Sequence, residues 1–453
     1  MLAVGGPTRT TPTQLGRFPT LPTVTTAPVS LLRNRDFLRL WTAETISQFG
    51  TQVSLLALPL VAVTLLSATP FEVALLGTIE FLPFILFSLP TGAWVDRLRR
   101  RPILIIGDLG RAAVLSTIPI AYVLGVLTIW QMYVVGFVAG TLTVFFDVAY
   151  QSYLPSLVER DQLVDGNGKL EVSRTIAQTA GPAIGGGLIG LVTAPFAIIA
   201  DAVSFLGSAL FVFSIRRHEP RPDPHVDEHG RARGSLRQEV SAGLRYVLGN
   251  RYLRGIAACT ATSNLFGNIA FAVIIVYAVR DLNLTAPEIG IVFGLGNIGS
   301  IVGALTADRL RRAIGLGPAI IASIALSGPG LLFVAIAPRT DPIAFLVAGG
   351  VLTGLSSVIY NINQVSFRQA ITPTTMQGRM NATMRFIVWG TIPIGSVLGG
   401  VIATSASVST AIWVGAIGSF LALIPVLVTP VRRLREMPSP SGEVQAPAAE
   451  QPA

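Results

Sequence analysis

The chain has 453 residues, 51% of them hydrophobic and only 13% charged, with a formal net charge of +9 and a mean hydropathy of +0.63. Charged residues are about half the usual share, which excludes a disordered chain and an ordinary water-soluble enzyme. A single cysteine, Cys259, excludes an internal disulfide and a cysteine-based zinc site.

Residues 1–30 are rich in Thr and Pro and lack the apolar run of a secretory signal, so they read as a disordered leader. A bilayer-spanning helix takes roughly 20 apolar residues. Such stretches lie near 40–66, 72–95, 103–124, 128–149, 172–193 and 195–215, forming an N-terminal unit over 31–215. A polar interval, 216–250, follows, with Arg216, Arg217, His218, Asp223, His225, Asp227, Glu228, His229, Arg231 and Arg233. Its second half is amphipathic. Leu236, Val240, Leu244 and Val247 recur at helical spacing around Arg237, Glu239 and Arg245, as in a helix lying on a membrane surface. Further spans lie near 254–279, 287–307, 317–336, 342–364, 381–404 and 409–429, forming a C-terminal unit over 251–430; residues 431–453 read as a disordered tail. Backbone groups in lipid must pair internally, so the spans are helices. The expected fold class is an all-α membrane protein: 12 transmembrane helices in two pseudo-symmetric six-helix bundles.

Basic residues set the orientation. One set of loops carries Arg33, Arg35, Arg39, Arg97 to Arg101, Arg309, Arg311, Arg312, Arg432, Arg433 and Arg435, while the opposite loops hold little beyond Arg280 and Arg339. A multi-pass protein of the cell membrane with both termini cytoplasmic is expected. The same asymmetry accounts for the positive charge, so no nucleic-acid partner is expected.

The halves echo each other. Asp-Arg-Leu-Arg-Arg runs from Asp96 to Arg100 after the second span and from Asp308 to Arg312 after the eighth. Arg174 precedes Pro182 in span five by the same interval as Arg385 precedes Pro393 in span eleven. Thr69 to Glu72 opens span two and Thr285 to Glu288 opens span eight, each a Thr-x-x-Glu capping box with proline in the first turn. Parallel repeats of this kind place a chamber between the halves near the midplane.

Gly92-Ala-Trp-Val-Asp96-Arg97-Leu-Arg-Arg100-Arg101 resembles the loop signature of the major facilitator superfamily, with Arg99 in place of a glycine; Ala304 replaces a glycine in the second copy. Ala177-x-x-x-Gly181-Pro182-x-x-Gly185-Gly186 resembles that superfamily's antiporter signature, with alanine for the first glycine. Ile46 to Gly50, Asp147 to Pro155 and Asp201 to Phe205 resemble the branch of enterobactin exporters and macrolide-efflux proteins. The resemblance covers about residues 31–430 and implies a latch on the cytoplasmic face that holds the outward-facing state. Its candidates are Asp96, Arg97, Arg100, Arg101, Asp108, Arg111, Asp147, Asp308, Arg309 and Arg312, with Glu159 a further acidic partner. The arginines also serve topology without any latch. Gly181, Pro182, Gly185 and Gly186 are read either as a bend that seals the halves or as plain helix packing, because Gly136 and Gly140, and Gly299 and Gly303, share the spacing.

The only lysine, Lys169, follows Gly168 but precedes Leu170, so there is no nucleotide-binding P-loop. Gly294-Leu-Gly296-Asn-Ile-Gly299 lies in an apolar span and lacks the context of a dinucleotide site. No cofactor is expected, and the three histidines sit in the linker without metal-site spacing. Transport is then downhill or ion-coupled. With all three histidines in the linker, a proton carrier within the bilayer would be a carboxylate; an ionised acid in mid-membrane costs about 2.5–3.5 kcal/mol, so it tends to hold a proton. Glu44, about 10 Å into span one, is the first choice and Glu80, about 12 Å into span two, the second. Asp201 is read as structural, and Asp108 and Arg111 as pairing with each other or with the Asp96 loop. Cavity candidates are Gln48, Gln52, Asn264, Asn268, Asn361, Asn363 and Gln364, or else these bond between helices. The leading function is a proton antiporter exporting a lipophilic small molecule, a drug-like metabolite or siderophore. A facilitator or importer of a polar metabolite, and a non-transporting sensor or scaffold, are the alternatives. The expected partners are a small-molecule substrate, protons and membrane lipids, the expected state is a monomer, and an enzyme is the least expected class.

Overall fold

The computed structural model describes residues 31–95, 98–159, 162–217, 219 and 236–436, and the regular structure among them is helical. The first bundle comprises α1 (Arg35–Leu65), α2 (Pro70–Val95), α3 (Arg100–Val123), α4 (Ile129–Leu157), α5 (Leu163–Val192) and α6 (Ala194–Ser214). Helix α7 (Leu236–Gly249) follows. The second bundle comprises α8 (Arg251–Asp281), α9 (Ala286–Ile314), α10 (Leu316–Ala335), α11 (Ile343–Ile371), α12 (Thr374–Ser405) and α13 (Val408–Val428). Twelve of these helices are long and apolar enough to cross a bilayer; α7 is the exception.

Polar caps fix where the helices begin. Asn34 Oδ1 accepts from the amides of Asp36 and Phe37 at the start of α1, Asn250 does the same for α8, and Thr128 caps α4. At the starts of α2 and α9, Glu72 and Glu288 reach back to the amides of Thr69 and Thr285, both at 2.7 Å. The helices before these boxes end alike. α1 and α8 each close on one wide turn, followed by Ser67 (φ 50°) and Asn283 (φ 54°) in the left-handed region. The amide of Ala68 then donates to Ala62 O and that of Leu284 to Ala278 O, both at 2.9 Å. The internal repeat is therefore a repeat of turn chemistry. Hydropathy underestimates α4, α5 and α11 because their linker-side turns continue through polar residues, such as Gln151 and Ser152 in α4.

Three apolar cores decide how the bundles sit. One joins both bundles on the side away from the linker, hereafter the far side, running from Val53, Leu56 and Leu76 to Ile269, Val273 and Ile289. On the linker side the bundles have separate cores, around Phe37, Leu104 and Tyr153 in the first and Leu253, Ile320 and Phe367 in the second. The bundles meet along two helix pairs, α2 with α12 and α5 with α9. At the far-side ends Gly400 faces Phe71 and Ala74, and Gly186 faces Ala286 and Gly290. Arg280 adds a polar tie there, donating to Ala68 O at 2.7 Å. The far side is closed, and the walls diverge toward the linker side.

Helix α7 packs against α12 and α8, with Val247 fully buried and Leu244 and Leu248 exposed. The side chains of Leu236 and Val240 lie outside the described residues, as do His218, His225 and His229.

Candidate functional site

Between the bundles lies a chamber of about 1370 Å³. Its far-side end is apolar, with Leu56, Val73, Leu76 and Ile289. On one flank Phe81 and Phe84 of α2 meet Trp389 of α12 edge-on, with ring centroids 5.9 and 6.4 Å apart. Gln52, Asn264, Asn268, Asn361 and Gln364 line the chamber, and so do Gln178 and Asn297, which the sequence reading passed over. Part of this polarity also ties helices together. Asn264 donates to Val388 O at 3.1 Å, and Asn297 donates across the bundles to Thr179 Oγ1 at 3.1 Å.

Two of the expected amides are elsewhere. Gln48 does not line the chamber; its amide donates to Glu44 Oε1 at 2.7 Å. Asn363 is buried and donates to Ile359 O of its own helix. It lies two residues from Asn361, about 200° around the helix, and so faces away.

The two carboxylate candidates also separate. Glu80 lies in the chamber wall, and its Oε1 is buried without a hydrogen-bond partner. Gly136 and Gly140 of α4 make room for it: a Cβ at Gly136 would lie 2.8 Å from Glu80 Cγ, and one at Gly140 would lie 2.4 Å from Glu80 O. That pair of glycines, read as generic packing, shapes the seat of one carboxylate. Glu44, the first choice on the expectation from the family resemblance that the first helix of each half lines the cavity, is not among the chamber-lining residues. It lies inside the first bundle in the fields of Asp147, Arg111 and Asp108, with Oε2 unpartnered.

The gate residues are dispersed. Asp96 and Arg97 lie outside the described residues. Asp108 and Arg111 sit within the first bundle, paired to each other at 2.6 Å and almost fully buried. The Arg111 guanidinium is held between the rings of Phe146 and Phe205, 4.3 and 4.1 Å from their centroids. Aromatic faces attract the cation and hold it away from the linker-side surface. Asp147 lies in the fields of Arg111 and Arg174. Asp308 pairs with Arg311 and Arg312 of its own helix, and Arg309 is exposed. Arg100 and Arg101 bind neither Asp147 nor Glu159. Their partner is Glu219, whose carboxylate accepts from both backbone amides at 2.8 and 3.2 Å. An acid at a helix N-terminus satisfies orphan amides and the helix dipole together. The Arg101 side chain donates to Val212 O and Phe213 O at the end of α6. Sequence reading missed Glu219 because no spacing links it to α3.

Gly181 and Gly185 of α5 pack on Gln52 and Val53 of α1, while Gly186 meets α9. This stretch is thus the joint at which α5 holds α1 on one side and the opposite bundle on the other. Asp201 is buried and accepts from the hydroxyls of Ser54 and Ser204; Gly50 leaves the space that Asp201 and Ser204 fill.

Two six-helix bundles around a chamber closed on one side define a multi-pass membrane transporter. The chain belongs to the transmembrane secretion effector family of the major facilitator superfamily, a family of transporters, which it matches over residues 26–452. It is 28% identical over 383 residues to the multidrug efflux pump Tap of Mycolicibacterium fortuitum, covering 81% of this chain and 87% of that one. It is 22% identical over 408 residues to macrolide efflux protein A of Streptococcus pyogenes, covering 88% and 97%. Its fold is similar to the inward-facing crystal structure of a bacterial homologue of the iron transporter ferroportin, with a TM-score of 0.71, 16% identity and coverage of 88% and 99%.

Proposed function

We propose that the protein exports a lipophilic small molecule from the cytoplasm across the cell membrane by alternating access, driven by protons moving inward. The observation that carries this reading is the chamber itself: shut at the far side, walled by Phe81, Phe84 and Trp389, and bordered by Glu80 with an unpartnered oxygen. The arginine-rich loops support a cytoplasmic linker side, from which the chamber takes cargo inside the cell. Aromatic walls and neutral amides suit apolar cargo with a few polar groups. The efflux relatives support a drug-like cargo.

Glu80 is the favoured coupling group and Glu44, buried within the first bundle, the second. A proton entering down the membrane potential supplies about 2.3 kcal/mol per 100 mV, available to reset the carrier after cargo leaves. The test uses cells expressing the protein and loaded with a lipophilic dye. They are expected to retain less dye than controls, and a protonophore is expected to remove the difference. Glu80→Gln is expected to abolish uphill efflux while leaving the amount of protein in the membrane unchanged. Normal pumping by that variant would move the coupling role away from Glu80, and dye retention equal to controls across a broad panel would end the exporter reading.

A further inference from the structure

The chamber wall of the second bundle carries positive charge that no acid among the described residues balances. Arg368 of α11 and Arg385 of α12 both line the chamber. Neither makes an ion pair among the described residues; Arg368 Nε is buried with no partner, and Arg385 makes only a cation–π contact, 5.3 Å from the centroid of Trp389. Each guanidinium also lies in the other's repulsive field. The acids of residues 251–430 are Asp281, Glu288, Asp308 and Asp341, and all four sit at helix ends or in a loop. The sequence repeat sharpens the contrast. Arg174 corresponds to Arg385 and has acids at hand, with Glu171 at 3.8 Å and Asp147 nearby. At the same offset the second bundle has Ala382 and Val358. The corresponding arginine of the second bundle therefore has no acid at either of these positions.

Arg385 lies within a span and is exposed to the chamber, and Arg368 lies in the last turn of α11 and lines the same chamber; an ionisable residue that faces a cavity inside a membrane protein marks a substrate path. Guanidinium forks match planar or tetrahedral oxyanions. We infer that Arg368 and Arg385 recognise an oxyanion on the cargo, a carboxylate or sulfonate, while its aromatic or apolar body lies against Trp389, Phe81 and Phe84. The cargo class is then an amphipathic organic anion. This deepens the exporter reading, from which it takes only that the chamber holds the cargo. Glu80 stands on the wall of the other bundle, so the anion-binding group and the proposed proton group lie on separate bundles.

The test measures equilibrium binding to the purified full-length protein in nanodiscs of zwitterionic lipid. The two probes are anilinonaphthalene sulfonate and its uncharged parent, phenylnaphthylamine, with protein-free discs subtracted. The wild type is expected to prefer the sulfonate by about tenfold or more. Arg385→Gln and Arg368→Gln are each expected to remove most of that preference, and Arg385→Lys to restore much of it in a chain of the same fold. Equal affinities for both probes, or a preference that survives both glutamine variants, would overturn the inference. Uphill extrusion of phenylnaphthylamine from cells is read alongside. With extrusion intact and no sulfonate preference, this inference falls and the exporter reading stands. A preference lost in both glutamine variants supports the inference whether or not the neutral probe is extruded.

Discussion

Gly290 lies where α9 crosses α5, and the crossing leaves no space for a side chain. A Cβ there would stand 2.3 Å from Pro182 O and 3.0 Å from Gly186 Cα, against an ordinary contact beginning at 3.4 Å. In Gly290→Ala the two helices must therefore part by about 1 Å, and overpacking of this size costs about 1–3 kcal/mol. The cost falls only on the arrangement in which α5 and α9 touch at the far side. An arrangement with that side open is spared it, so the balance between the two shifts by about 5- to 150-fold. A cysteine at Gly77 reports this directly. Gly77 lines the chamber, and a Cβ there meets nothing within 4 Å. The native Cys259 is fully buried and contributes little background. With a membrane-impermeant maleimide on the far side, Gly77→Cys is expected to label at least about fivefold faster with Gly290→Ala than without it. Equal or slower labelling, in protein that melts as a folded species, would refute the idea that this contact holds the far side shut.

Three further outcomes follow from the packing. Gly136→Ala places a methyl 2.8 Å from Glu80 Cγ. It is expected to lower stability by about 1–3 kcal/mol and, by displacing the carboxyl, to reduce uphill dye efflux as Glu80→Gln does; full efflux would separate the glycine from the carboxylate. Asp108→Asn removes the carboxylate paired with the buried Arg111, at about 3–5 kcal/mol, so the melting temperature is expected to fall sharply while Asp308→Asn, at an exposed Asp–Arg pair of the same spacing, leaves it nearly unchanged. Glu219→Gln weakens the cap on α3, worth about 1 kcal/mol, and hydrogen exchange at the Arg100 and Arg101 amides is expected to accelerate first.

The spans, the repeat and the capping boxes were legible because each rests on contacts close in sequence. A run of apolar residues, or Thr285 with Glu288 three residues on, needs no knowledge of the fold. The amides were legible as polar groups in apolar helices, but their direction was not. Gln52 and Gln48 are one turn apart, and only Gln52 lines the chamber, because Gln48 has Glu44 to bond. Glu44 was chosen over Glu80 on helix order alone, and order does not say which face of α1 turns inward. Arg385 carries a readable signal, a charge inside the span near 381–404 with no acid close in sequence, whereas Arg368 falls beyond the apolar run near 342–364 and is brought to the chamber only because α11 continues to Ile371. Glu219 was illegible, since its partnership with α3 forms only when the chain beyond α6 folds back across the first bundle.

The distribution of repeated and unrepeated features follows from what each side of the molecule must do. At the far side both bundles carry the same devices: a wide turn, a left-handed residue, a capping box and a glycine that admits the opposite bundle. A closing surface built from two related halves needs matched shapes, and a change in one half alone would open a gap or force a clash. The chamber is under no such constraint, because its two walls stand apart. Buried acids and their arginine gather in the first bundle, and unpaired arginines line the second. If protons and cargo act on different bundles, neither group has to release its own ligand for the other to bind. Coupling then passes through the rigid contacts of α5 with α9 and α2 with α12, which is why a single methyl at Gly290 is expected to be felt at both sites.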